Sequence, residues 1–246
     1  MATKTALAIV RSVAPRLGIA TPNTATGSTD VQVQQLLAFV NEEGQELAAR
    51  YDWQELTYPV TFSAQAGQSQ GMLTTLIEAN LGAYSFRKIL NDTLWNMTKR
   101  TRITGPLTAP QFNLATAANT AVGPWSEYRI RQGYLFLYPE ADVADQIRFE
   151  FVTDSWVINA SSDVLKTGFT ADDDRCLLDA RLIELGTIWR WKAAKGLDYA
   201  QNFQNYETAV LDAMTGNKTG GPVSMDSCDD YRGQPFAVIG RSDWLQ

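Results

Sequence analysis

The chain of 246 residues contains no histidine, which leaves it few ways to do catalysis near neutral pH. A Ser-His-Asp or Cys-His nucleophile, a histidine-based zinc site and an imidazole proton shuttle are all excluded. Carboxylates are the remaining acid–base groups, and Glu42 with Glu43, or Glu46 with Glu55, are the pairs a glycosidase would need. Carboxylates along one exposed helix face are commonplace, so no catalytic residue is assigned. Asp172, Asp173, Asp174 and Asp179 lack EF-hand spacing and read as charges at a helix start, where each contributes about 0.3–1 kcal/mol. Cys176 and Cys228 sit in unlike contexts without disulfide or zinc spacing, and are expected to be free thiols. No cofactor and no metal is expected.

Two clusters could bind rather than react. Arg87, Lys88, Lys99, Arg100 and Arg102 bracket Trp95, a composition that suits single-stranded nucleic acid but also an ordinary solvated edge. Trp95, Trp125, Tyr128, Tyr134, Phe136, Tyr138 and Trp156 would suit a carbohydrate-binding face, although alternation turns some of them inward. With 21 basic and 27 acidic residues the net charge is −6, which argues against a broad grip on phosphate backbones. The apolar run Ala6 to Val10 is too short for a signal peptide or a membrane span, so the expectation is a chain made and kept in a cytoplasm, with no membrane partner.

The elements that must position these residues fall into four segments. Residues 1–56 read as an N-terminal helical block: a helix from Lys4 to Leu17 with a doubtful last turn at Pro15, then a helix over about 30–53 capped by Thr29 with Gln32, with Gly44 its weak point. Residues 57–158 read as an inserted antiparallel β domain, clearest at Tyr128–Arg131 and Tyr134–Tyr138 around Gln132-Gly133 and at Gln146–Thr153. Residues 159–216 read as a C-terminal helical block packing on the first. Its long helix is expected to start at Thr170 with Asp172–Asp174 and to be apolar on two sides, one facing its own domain and one a neighbouring subunit, which puts Trp189 and Trp191 at subunit packing. A further helix over about Asp198–Met214 stops at Gly216. Residues 217–246 read as an extended C-terminal arm with Tyr231, Phe236, Val238, Ile239, Trp244 and Leu245 as its anchors. The fold class is α+β: a helical bundle from the two terminal blocks, the β insertion, and the arm.

An ordered set of segments resembles the head-to-tail adaptor (connector) proteins of tailed bacteriophages. It comprises Ile89–Arg100, Gly105–Phe112, Tyr128–Arg131, Leu137–Pro139, Ile147–Trp156, Leu178–Gly186 and Trp189–Tyr199, in that order, within residues 30–215. Phe112 departs from the tryptophan expected there, and Cys176 interrupts the family-like start of the long helix. The resemblance implies a structural virion protein: a homo-oligomeric ring of about twelve copies beneath the portal protein, contacting a downstream tail or nozzle protein, with closed rotational symmetry. DNA would pass through its channel without specific binding. The alternative is a carbohydrate- or receptor-binding tail module.

Overall fold

The computed structural model describes residues 3–82, 85–118 and 126–217; the expected arm anchors Tyr231, Phe236, Val238, Ile239, Trp244 and Leu245 lie outside them. The described chain is mixed α+β, with six α-helices and a curled sheet.

Helix α1 (Ala6–Val13) is capped by the Thr5 hydroxyl, which accepts from Ala8 N, and Pro15 turns its continuation into a 3₁₀ turn, Ala14–Leu17. Helix α2 (Val31–Arg50) buries Val33, Leu36, Val40, Leu47 and Ala48, the apolar stripe of the sequence. Its cap is Asp30 rather than Thr29: the Asp30 carboxylate accepts from Gln32 N, and an acid at this place also suits the helix dipole.

Eleven strands follow: β1 (Thr57–Ser63), β2 (Ser69–Met72), β3 (Lys88–Ile89), β4 (Trp95–Asn96), β5 (Thr101–Thr104), β6 (Ser126–Arg131), β7 (Tyr134–Tyr138), β8 (Gln146–Val152), β9 (Val157–Ile158), β10 (Leu165–Lys166) and β11 (Arg175–Cys176). The larger sheet runs β1-β8-β4-β5-β6-β7-β2, with β3 also on β8. The 57–158 segment is not purely antiparallel. Strands β5 and β6 pair in parallel, Ile103 opposite Ser126, and helix α4 (Ala109–Ala118) lies in the connection such a pair needs. Helix α3 (Leu73–Leu81) touches both β1 and β2, the two ends of the sheet order. The sheet therefore curls round a core of Phe62, Leu73, Ile77, Tyr128, Leu137, Ile147, Phe149 and Phe151. Gln132 and Gly133 both take positive φ, the geometry of a two-residue hairpin turn matched to strand twist.

The acidic run does not start a helix. Helix α5 (Ala180–Ala194) begins ten residues after Thr170, with Asp179 as its cap. Asp172 instead accepts from Thr24 Oγ1, Thr26 Oγ1 and the amides of Ala25 and Thr26, tying the 22–27 connector to the 170s loop. Asp174, wholly buried, accepts from the amides of Thr170 and Ala171 and from Lys166 Nζ. Short acidic side chains compete for nearby backbone amides as readily as they cap helices. Helix α6 (Ala200–Asn217) runs through Gly216, because Asn217 supplies the anchor: Gln54 N donates to its Oδ1, Gln54 Nε2 to its carbonyl, and its own amide donates to Glu55.

Helices α1, α2, α5 and α6 pack on one another around Leu47, Trp156, Ile183, Tyr206 and Val210. Two glycines set the spacing. A Cβ on Gly44 would overlap the Trp156 indole, and one on Gly186 would overlap the Glu43 side chain. Gly44→Ala or Gly186→Ala is therefore expected to destabilise by about 3 kcal/mol, the upper range for overpacking, despite the better helix propensity of alanine. A midpoint unchanged in urea unfolding would contradict this close approach.

Burial alone would raise the carboxyls of Asp172 and Asp174, but their hydrogen bonds outweigh it and hold both below the ordinary value of 3.8. Their stabilisation is complete above the unfolded value and is lost as pH falls through the lower folded values. Acid titration of thermal stability should thus show a loss below about pH 3.8 that Asp174→Asn removes in part, at the cost of lower stability at pH 7. Parallel curves for the two proteins would refute it.

Candidate assembly surface

The long helix α5 is apolar on two sides because two sides are covered within the chain, one by α2 and the other by α6, and α1 also packs on it. This corrects the expectation that a neighbouring subunit covers the second side. Trp191 is buried with Val13, Ala14, Ile19, Leu36 and Ile188, and Phe39 meets it edge-on at 6.2 Å. It closes a small core within the chain.

Trp189 is placed differently. It is half-buried under Tyr199, Phe203 and Tyr206, at centroid distances of 6.3, 5.2 and 6.1 Å. The outer members of this stack face solvent: Tyr199 is 44% and Phe203 39% exposed, and Leu197 in the α5–α6 connection is 55% exposed. The corner is thus a small apolar surface backed by a rigid tryptophan, the composition found at the centre of protein interfaces.

Arg190 lies under that corner, its guanidinium 4.9 Å from the Trp189 ring centroid. It donates from Nε to Glu43 at 2.6 Å and from Nη1 to Glu42 at 2.7 Å, and Nη2 lies 3.6 Å from Glu46. Three carboxylates considered for glycosidase chemistry therefore surround one cation. Glu43 is fully buried, and burial pushes its carboxyl above the ordinary value against the pull of Tyr206 and Arg190. The Tyr206 hydroxyl faces Glu43 without a fully formed hydrogen bond. Sequence reasoning did not single out Arg190, whose signal is a cation between two tryptophans on a helix covered on two sides.

The basic cluster does not assemble. Lys88 pairs with Asp52, Lys99 with Asp142 and Asp145, and Arg102 with Asp92. Arg87 donates to the carbonyls of Ala48 and Ala49 at the end of α2. Arg100 stands exposed at a positive φ of 56°. Of the sheet aromatics, Tyr128, Tyr138 and Trp156 are buried, Trp95 and Phe136 are half-buried and Tyr134 is exposed, while Trp125 lies outside the described residues. Cys176 is a buried free thiol, and burial raises it; Cys228 lies outside the described residues.

Two open grooves of about 620 and 650 Å³ mark the surface, one between Tyr51, Leu90, Glu150 and Asn217, the other along α2 and the 165–170 loop. Among the described residues, no group of three or more acidic or thiol side chains is arranged to hold a metal ion. No helix among them is long and apolar enough to cross a membrane. No protein-family model matches the chain, and no curated protein matches it.

Arg190→Met removes the only cation paired with the buried Glu43 carboxylate in the described structure, and is expected to cost about 3–5 kcal/mol. Glu43→Met combined with Arg190→Met should recover most of that loss, since no charge is then left uncompensated. Chemical denaturation of both variants checks the pair; a double variant as unstable as the single would contradict it.

Proposed function

We propose that the chain is a structural subunit of the head-to-tail adaptor class: about twelve copies form a closed ring beneath a portal protein, join the capsid to a downstream tail or nozzle protein, and surround the DNA exit channel of the virion. In this reading α1, α2, α5 and α6 are a bundle built from the two terminal blocks, residues 57–158 are an insert, and residues 217–246 are an arm. Tyr231, Phe236, Val238, Ile239, Trp244 and Leu245 would be the arm's anchors on the portal or a neighbour.

The observation that carries the proposal is the coincidence of two features on one segment. Residues Leu178–Gly186 and Trp189–Tyr199 are the helical part of the adaptor resemblance, and the same segment and the start of α6 hold the apolar corner of Leu197, Tyr199 and Phe203 over Trp189. A ring needs such a patch on every copy, because one interface is repeated between all neighbours. The surplus of acidic residues suits a channel wall that must not hold DNA back.

Light scattering on the full chain, alone and mixed with portal rings, tests the proposal. A large discrete complex that forms when portal is present is expected. Leu197→Asp with Phe203→Asp should weaken it on the order of tenfold or more while leaving the monomer folded, as loss of interface anchors does. Removal of residues 218–246, which keeps the Asn217 anchor, should abolish attachment to portal. A chain that stays monomeric with portal would overturn the adaptor reading.

A further inference from the structure

Charge is unevenly distributed in this protein. One residue in five is charged, yet residues 56–77 and 103–126 contain none. These two stretches form β1, β2, α4 and the start of α3, and they surround the β6–β7 hairpin. Strand β2 pairs with β7, the end of β5 pairs with β6, and α4 rests on the outer face through Phe112, which meets Phe136 and Tyr138 at 6.4 Å.

On that outer face the cross-strand pairs are Glu127 with Tyr138, Arg129 with Phe136 and Arg131 with Tyr134, alternating with the inward Tyr128–Leu137 and Ile130–Leu135 pairs. The two guanidinium groups are held against rings: Arg129 lies 5.8 Å from the Phe112 centroid and Arg131 5.0 Å from that of Phe136. Among the described residues neither is paired with a carboxylate, whereas Lys88, Lys99 and Arg102 in the same half all are. Aromatic support of this kind fixes a guanidinium in place; Arg129 Nη1 donates one long bond, 3.5 Å, to the Ala109 carbonyl, and the other N–H groups of the two arginines remain able to donate.

We propose that the outer face of the β6–β7 hairpin is a sequence-independent site for nucleic-acid backbone phosphates, with Arg129 and Arg131 as the phosphate-binding groups. Two residues apart on one strand, they stand about 6.8 Å from one another, so that each can meet its own phosphate. The exposed residues around them, Gln111, Asn113, Gln132 and Tyr134, are amide and hydroxyl side chains of the types that contact phosphate oxygens. Phe112 and Phe136 have guanidinium groups over their rings and are poorly placed to stack bases, so the site reads backbone and not sequence. Glu127 is the carboxylate on the strand pairs of this face, and the uncharged stretches 56–77 and 103–126 add none, so a polyanion meets little repulsion from them. The proposal stands on this geometry and does not require that the protein form a ring.

Fluorescence anisotropy of the full-length protein on a short labelled DNA duplex tests it. Two phosphate contacts predict a slope of about −1.8 for log K against log salt, roughly twelve-fold weaker binding at 200 mM than at 50 mM. Arg131→Gln, a change at an exposed residue, should reduce the slope to about −0.9, and Arg129→Gln with Arg131→Gln should abolish salt-dependent binding. Arg181→Gln, an exposed arginine on α5, should leave binding unchanged. Absence of salt-dependent binding in the wild type, or a double variant that binds as the wild type does, overturns the proposal. A polyglutamate peptide that binds this face more tightly than the duplex also overturns it, in favour of an acidic protein partner. Because the assay uses the free subunit, its outcome is independent of whether portal drives assembly.

Discussion

The crossing of α2 on α5 is the constraint on which the rest of the structure depends. Gly186 leaves the space that the Glu43 carboxylate fills, and Gly44, the next residue on α2, leaves the space for the Trp156 indole. One helix thus presents a charge to α5 and a bare backbone to the segment leaving the sheet, in successive positions. Burying Glu43 is costly, and Arg190 one turn beyond Gly186 offsets that cost with a charge-assisted hydrogen bond at 2.6 Å. A buried pair of this kind favours one register of the two helices, because sliding either by a turn would part the buried Glu43 carboxylate from the cation that compensates it. The same arginine supports the Trp189 ring, so the register of the core and the posture of the exposed corner are one geometric fact.

The sheet is joined to the helices at the end of α2 by several contacts of different kinds. Arg87 donates to the carbonyls of Ala48 and Ala49, groups that a helix end leaves without intrahelical partners, and Trp53 Nε1 donates to the Leu47 carbonyl. Lys88 reaches Asp52 at 2.8 Å, and the Ser85 hydroxyl meets those of Thr153 and Ser155. Val152 completes the link: it ends the alternation of β8 on the expected polar face, yet it is buried, because that face turns there from solvent to the helical core. Asn217 clasps the turn at Gln54 and Glu55 at the same junction, so the chain beyond it departs from a fixed point.

Much of this was legible in the sequence where one period dominates. The stripe of α2, the β6–β7 hairpin with its Gln-Gly turn and the alternation of Ile147, Phe149 and Phe151 are local patterns, and local patterns set local structure. Several of the misplacements concern a side chain or helix face whose partner comes from another segment of the chain. Asp172 and Asp174 look like helix-start charges until the 22–27 connector and Lys166 are brought to them. The second apolar face of α5 looks like an interface until α6 folds back over it. Helices α3 and α4 are short and lie within a β-rich segment, and α4 has no charged residue and no amphipathic contrast to mark it.

The candidate surfaces were less legible than the fold, for a related reason. Composition reports how many aromatics and cations exist; it does not report which of them the core and the ion pairs consume. Of the five cations bracketing Trp95, three are neutralised by nearby aspartates and a fourth binds a helix end, so the cluster dissolves once folded. Of the two tryptophans expected at subunit contacts, one closes a small core and the other underlies an exposed corner. Among what folding leaves exposed are Leu197, Tyr199 and Phe203 beside Trp189, and Arg129 and Arg131 on their rings. The two groups belong to different cores, the first to the helices and the second to the curled sheet. On the two proposed readings, protein contact and polyanion contact would fall to different cores, because the pairs that folding consumes differ between the helices and the sheet.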